Sequence, residues 1–128
     1  MNISNLSIET KEKTEIIDIT KEINKEISRK EGLINIFSKH TTTGLTVNEN
    51  ESNLISDIDQ LLTEIVSSDN WRHNKIDNNA ESHLRSILLD SSITLPIKDG
   101  EMDLGTWQSV LFIELDGPRT REVRISVL

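Results

Sequence analysis

The chain has no cysteine, which excludes disulfides, thiolate catalysis and cysteine-ligated zinc or iron–sulfur centres. Any metal must then be held by His, Asp, Glu or water. Tyrosine is also absent, and the only aromatics are Phe37, Trp71, Trp107 and Phe112, so the core has to be built from Ile, Leu and Val. Basic residues are in short supply: 14 Lys and Arg face 22 Asp and Glu, a formal charge of −8. That balance argues against nucleic acid as a partner, because Lys and Arg are what displace counterions from a phosphate backbone. The acidity reads as a solubility feature and leaves room for one local basic pocket that takes a small phosphorylated ligand. No apolar run approaches membrane-spanning length, and Met1–Asn5 lacks the apolar stretch of a signal peptide. The sequence therefore predicts a cytoplasmic protein with no membrane partner.

What is present fits one domain, residues 1–128, with 34% apolar residues to fill a core. Ile3, Leu6 and Ile8 mark a first strand and Thr14–Ile19 a second. From Thr20 the spacing of Ile19, Ile23 and Ile27 predicts a short helix, with Thr20 as N-cap and Gly32 closing it. Leu33–Ser38 reads as a buried strand, and His40–Asn48 as its extended continuation, with Gly44 at a bulge or close approach. Leu54, Ile55, Ile58, Leu61, Leu62, Ile65 and Val66 trace the clearest helix, capped by Ser52 or Asn53. Residues 67–79 turn polar and carry Trp71, which reads as an ordered, functional loop. Ala80, Leu84, Ile87 and Leu88 give a further helix. Ile93–Ile97, broken by Pro96, reads as a strand at an edge or with Pro96 at its end, Lys98–Glu101 as a hairpin turn, and Met102–Leu115 as a long strand or a bent pair with the bend at Gly105. Val123, Ile125 and Val127 alternate as the last strand. Strands joined by hairpins at the C-terminal end favour an α+β fold with a mainly antiparallel sheet.

Chemistry is sought at boundaries between buried framework and polar loop. His40 ends a buried strand and opens a run of three threonines, His73 lies in the polar loop beside Arg72, and His83 borders the apolar stripe of the short helix that begins at Ala80. Three neutral imidazoles with an open position would suit zinc or a similar divalent ion, although spacings of 33 and 10 residues match no short zinc motif. Glu49 is a further candidate. Glu51 reads as an acid that decorates a helix N-terminus. Trp107 reads as a core residue on a long strand, with Gln108 on the opposite face.

Taken together, His40-Thr41-Thr42-Thr43-Gly44-Leu45-Thr46-Val47-Asn48-Glu49-Asn50, Arg72-His73-Asn74, Asn79-Ala80, His83-Leu84, Leu95-Pro96, Leu104-Gly105-Thr106-Trp107-Gln108 and Pro118-Arg119 resemble the YjbQ-like family, also called the secondary thiamine-phosphate synthase family. The pieces come in the family's order and span nearly the whole chain. The sequence departs from the usual pattern at Glu81-Ser82, where a proline and a small apolar residue are more typical. The resemblance implies a β-sandwich with a few flanking helices, assembled as a homotrimer, and a metal-associated cluster of His40, His73 and His83. It further implies that a pyrimidine diphosphate is joined to a thiazole phosphate with release of diphosphate.

On that expectation, a divalent metal, zinc foremost, acts as a Lewis acid on the departing diphosphate. Arg72 and Arg119 bind phosphate, Thr41, Asn48 and Gln108 contact substrate, and Glu49 orients a ligand or water. Two other readings compete. One is a metal-assisted hydrolase with Glu49 as general base; the other is a non-enzymatic trimeric protein that binds a small anion.

Overall fold

The clean alternation of β8 (Thr120–Val127) organises the larger of two sheets, because Arg121, Val123, Ile125 and Val127 all point to the buried side. In the computed structural model, which describes residues 1–128, β8 lies between β1 (Asn2–Glu9) and β3 (Glu31–Ser38). The same sheet continues through β5 (Ser92–Lys98) to the two-residue β6 (Glu101–Met102). A second sheet places β7 (Ser109–Glu114) between β2 (Glu15–Asp18) and β4 (Thr43–Asn48). All pairings are antiparallel. Both sheets curl, and Ile34, Ile36, Leu45, Val110, Phe112, Val123 and Ile125 fill the space between them with no exposure to solvent. Each fully buried side chain of this size contributes roughly 1.5–3 kcal/mol. The architecture is the expected α+β arrangement, with helices α1 (Thr20–Asn24), α2 (Ser52–Ile65) and α3 (Ala80–Ser86) on the flanks.

Several local expectations are corrected. The helix that begins at Thr20 stops at Asn24, and Gly32 belongs to β3 rather than to a helix end. Thr20 does not cap it. The Asp18 carboxylate accepts both the Thr20 backbone N–H and its hydroxyl, as a short acid preceding a helix does. In β3, Ile34 and Ile36 are buried but Leu33 is 47% exposed, so the near-continuous apolar run conceals an ordinary inward–outward alternation. His40–Thr42 do not extend β3; the chain turns there and crosses to the other sheet. The cap of α2 is Glu51, whose carboxylate accepts the N–H groups of Asn53 and Leu54, consistent with its reading as a helix-terminal acid.

Of the two readings of Met102–Leu115 the bent pair holds, with β6 and β7 separated by a turn that contains Gly105, but Trp107 in that turn is 72% exposed rather than part of the core. The Lys98–Glu101 hairpin forms as expected, with Asp99 and Gly100 at positive φ (53° and 83°), the geometry of a tight primed turn. Pro96 is tolerated because β6 pairs only with Ile97 and Lys98, leaving the edge of β5 open there. No helix is long and apolar enough to cross a membrane.

Six connections switch sheets, and the three shortest of them, β1 to β2, β3 to β4, and β7 to β8, contain no helix. All three cross at the same end of the sandwich. Thr10 N–H donates to the Arg119 carbonyl, Gly117 N–H to that of Lys13, and Leu115 N–H to that of Thr42. The first turn of α3 is fastened onto this junction by Ser82, whose hydroxyl donates to the Leu115 carbonyl. Its last turn is fastened by Ser86 to the Thr43 carbonyl. Beside it Gly44 is in contact with Leu89, at a point where a Cβ would overlap that side chain. This is the close approach that the glycine predicted.

Candidate functional site

Crossing strands cannot pair edge to edge, so their polar groups need side-chain partners. The sheet-switching end supplies them through two carboxylates. Glu114, fully buried at the end of β7, accepts from the Thr10 hydroxyl, from Nε and Nη2 of Arg121, and from the backbone N–H groups of Leu115 and Asp116. Arg121 is 4% exposed, and its Nη2 also donates to the Thr42 hydroxyl. Burial alone would raise the Glu114 carboxyl. The bonds from Arg121, Thr10 and the Asp116 N–H, with the Arg121 charge, outweigh it and hold the group below its ordinary range.

Asp116 is the second hub. Oδ1 takes the Lys13 ammonium at 2.9 Å, and Oδ2 takes Nη2 of Arg119 at 2.9 Å and Nδ2 of Asn79 at 3.0 Å. Here too burial works to raise the carboxyl, and the bonds from Lys13 and Asn79 together with the Lys13 and Arg119 charges prevail and lower it. Asn79, immediately before α3, passes the contact on: its Oδ1 lies 2.9 Å from Nε2 of His73.

These groups border a polar cleft of about 330 Å³, whose walls include Lys39, His40, Thr41, His83, Arg119 and Arg121. An adjoining cleft of about 380 Å³ is mostly apolar, lined by Trp71, His73, Ala80, His83 and Leu84, with Arg72 also in its wall. His83 belongs to both, and its ring meets that of His73 edge to face, centroids 4.8 Å apart. Trp71 is held in the wall by its indole N–H, which donates to the Ser67 carbonyl; the expected order of this loop is real, and Arg72–Lys75 form one 3₁₀ turn within it. Across the polar cleft, His40 Nε2 accepts the Glu122 backbone N–H at 3.0 Å. Burial, then the nearby Arg121 charge, lowers the His40 pKa from its ordinary value, so this ring is neutral at neutral pH.

A family model described as UPF0047 protein YjbQ-like matches residues 4–128. The chain belongs to this family. Among its relatives, a UPF0047 protein of Methanothermobacter thermautotrophicus is 48% identical over 95% of this chain and 88% of its own length. YugU, a UPF0047 protein of Bacillus subtilis, is 32% identical over 98% of each. The crystal structure of a hypothetical protein from Aeropyrum pernix superimposes with a TM-score of 0.95 at 33% identity, covering 100% of this chain and 98% of that one. A YjbQ/UPF0047 family protein from Clostridium acetobutylicum superimposes with a TM-score of 0.92 at 31% identity.

Within this YjbQ-like chain, the expected site residues divide into two groups. His40, Thr41, His83 and Arg119 line the polar cleft, and His73 and Arg72 line its apolar neighbour. Asn48 and Glu49 are elsewhere. They lie at the far end of β4, where Asn48 pairs with Ser109, whereas Thr43 at the near end pairs with Glu114; five residue steps of strand separate them from the clefts by roughly 17 Å. Gln108 stays in the exposed turn before β7, its Oε1 accepting the Gly105 N–H.

The three histidines surround the paired clefts, but no three His, Asp or Glu side chains lie close enough within one chain to hold a metal ion. His40 is the poorest ligand of the set, because a metal on Nδ1 would force the ring proton onto Nε2, against the Glu122 N–H. The residues of one chain therefore do not fit the expected metal. Sequence reasoning missed Arg121, Glu114, Asp116 and the bridging role of Asn79. A signal existed for Arg121: it shares the inward face of β8 with Val123, Ile125 and Val127, and an arginine on such a face demands a buried acidic partner.

Proposed function

We propose that this protein acts on a small phosphorylated molecule in the polar cleft, as a thiamine-phosphate synthase-like transferase. One observation carries the reading: a chain of net charge −8 gathers Lys39, Arg119 and Arg121, together with His40 and His83, around one cleft whose only acids are Asp77 and Asp116. Arg121 spends Nε and Nη2 on Glu114 and Thr42, and Arg119 spends Nε and Nη2 on the carbonyl and carboxylate of Asp116. In both, Nη1 makes no bond within the chain, so each guanidinium is oriented and still has donors for an oxyanion. The transfer breaks the bond between the pyrimidine methylene and a diphosphate oxygen, and the thiazole nitrogen supplies the electron pair for the new bond. Preorganised donors around the departing diphosphate are the main contribution the chain can make. The apolar cleft beside it, with Trp71 and Leu84, suits the ring portion of the substrate. No step is assigned to a metal.

The assembly proposed with this activity is a homotrimer in the cytoplasm. The outer side of α2 supports association, since Leu61 and Ile65 are 53% and 58% exposed and such a stripe is ordinarily covered. The hydrolase reading is disfavoured, as Glu49 lies too far from the cleft to serve as its base. The non-enzymatic anion-binding reading draws on the same basic cleft. Calorimetry with inorganic diphosphate and a coupling assay with pyrimidine diphosphate and thiazole phosphate separate the two. Diphosphate binding lost in Arg119→Ala, with turnover in the wild type, supports the transferase. Binding without turnover leaves an anion-binding protein, and no binding sinks both.

A further inference from the structure

The partners of His40 and His73 determine which ring nitrogen carries the proton, and they do so in opposite senses. At His40, Nε2 accepts the Glu122 backbone N–H at 3.0 Å. A backbone amide nitrogen can only donate, so Nε2 holds the lone pair and the proton of the neutral ring sits on Nδ1. At His73, Nε2 faces Oδ1 of Asn79 at 2.9 Å. The Asn79 amide cannot be reversed, because its Nδ2 donates to Oδ2 of Asp116 at 3.0 Å, and a flipped amide would set oxygen against a carboxylate oxygen. The network thus assigns the amide. Asp116 itself is held ionised by Lys13 and Arg119. Asn79 Oδ1 must then accept, Nε2 of neutral His73 must donate, and Nδ1 is left with a lone pair that no group of the chain uses.

We infer that Asp116, acting through Asn79, is a positioning residue for His73, and that His40 and His73 offer a ligand opposite atoms, an N–H from His40 and a lone pair from His73. His40 lines the polar cleft, His73 the apolar one, and His83 lines both. The matching ligand is a phosphate ester or diphosphate whose oxygen accepts from His40 and whose remaining part carries an N–H or O–H for His73. The proton positions stand on the hydrogen bonds alone, whereas the ligand chemistry rests on the phosphorylated-substrate reading.

Histidine-selective nitrogen NMR of the full chain, about two pH units above the ordinary imidazole pKa of ~6.5, tests the assignment directly. His40 should appear with its proton on Nδ1, the form a free neutral imidazole populates less, and His73 with its proton on Nε2. In Asp116→Asn the Asn79 amide is freed to turn, so His73 should acquire the Nδ1–H form while His40 is unmoved. If that variant does not fold, Asn79→Ala serves, and should relax His73 alone towards the free-imidazole mixture. His40 found as Nε2–H would overturn the inference. So would a variant in which both rings change, or neither, since a merely structural effect would not single out His73. Adding inorganic diphosphate to the wild type should shift the His40 Nδ1–H resonance. The expected proton positions with no such shift would leave the positioning role intact and remove the ligand assignment.

Discussion

The two ends of the small sheet treat polar side chains differently. At the end where three short connections switch sheets, Glu114, Arg121, Asp116 and Asn79 are buried and bonded in pairs between different elements, Glu114 to Arg121 and Asp116 to Asn79. At the opposite end, Asn48, Gln108 and Trp107 are exposed, and the Asn48 and Gln108 amides bond to backbone groups no more than three residues away, while Asn50 reaches further, to the Asp18 carboxylate. Local bonds of the second kind close turns and leave nothing oriented toward a shared space. Bonds of the first kind fix side chains from several elements around one cavity, and the guanidiniums among them keep unused donors. A run of polar residues is therefore a poor guide to a site; which partners they share is the better one.

The sharpest way to break this contrast is to unpair the buried ions. Arg121→Met alone leaves Glu114 as an uncompensated buried charge and should cost about 3–5 kcal/mol. The double variant Glu114→Leu/Arg121→Met should recover most of that loss in denaturant unfolding. Equal losses in both would mean that the end is held by something other than the pair.

Next in size is Gly44→Ala, whose Cβ would overlap Leu89. It should lower stability by about 1–3 kcal/mol and, by shifting α3, disturb His83; an unchanged melting temperature would show that Leu89 has room to move. Arg119→Ala should weaken diphosphate binding by tenfold or more, in line with about 1.5–3 kcal/mol for a charged hydrogen bond. Its half-exposed bridge to Asp116 should add under about 1 kcal/mol to stability.

Acidification sharpens the comparison further. Glu114 and Asp116 are both lowered in the folded chain, so the folded state binds fewer protons and the stability they contribute is fully present above the unfolded carboxylate range. It should be lost as the pH falls below about 4 and through the lowered folded values. Asp116→Asn should flatten that loss, and an acid limb as steep as the wild type's would remove Asp116 from the account. The smallest effects belong to the other end: Glu49→Ala and Gln108→Ala should each leave diphosphate binding unaltered and stability within about 0.5 kcal/mol. A marked loss of binding from either would bring that end into the site, through a neighbouring copy of the chain.

Strand alternation in β8, the α2 stripe, the Lys98–Glu101 hairpin and the tight approach at Gly44 were all legible, because each depends on residues within a few positions of one another. The ends of α1, the exposure of Trp107 and the choice of Glu51 over Ser52 or Asn53 as the cap of α2 were not. Each turns on a nearby competitor, such as the Asp18 carboxylate at Thr20, that periodicity does not weigh. For the candidate site, the histidines were visible as boundary residues and Arg119 through its motif. Glu49, Asn48 and Gln108 were grouped with them because sequence order does not reveal that β4 carries its two ends to opposite sides of the molecule.

By itself the sequence determined the family, the α+β class, the absence of thiol chemistry and the identity of the polar residues available for a site. Only the tertiary structure decided which of them meet. Glu114 finds Arg121 across a sheet-switching turn, Asp116 reaches His73 through Asn79, and His40 is turned to accept from Glu122, 82 positions away. Hydrogen bonds and charges act over a few ångströms of space, and chain distance is converted into that space only when two curled sheets close on each other.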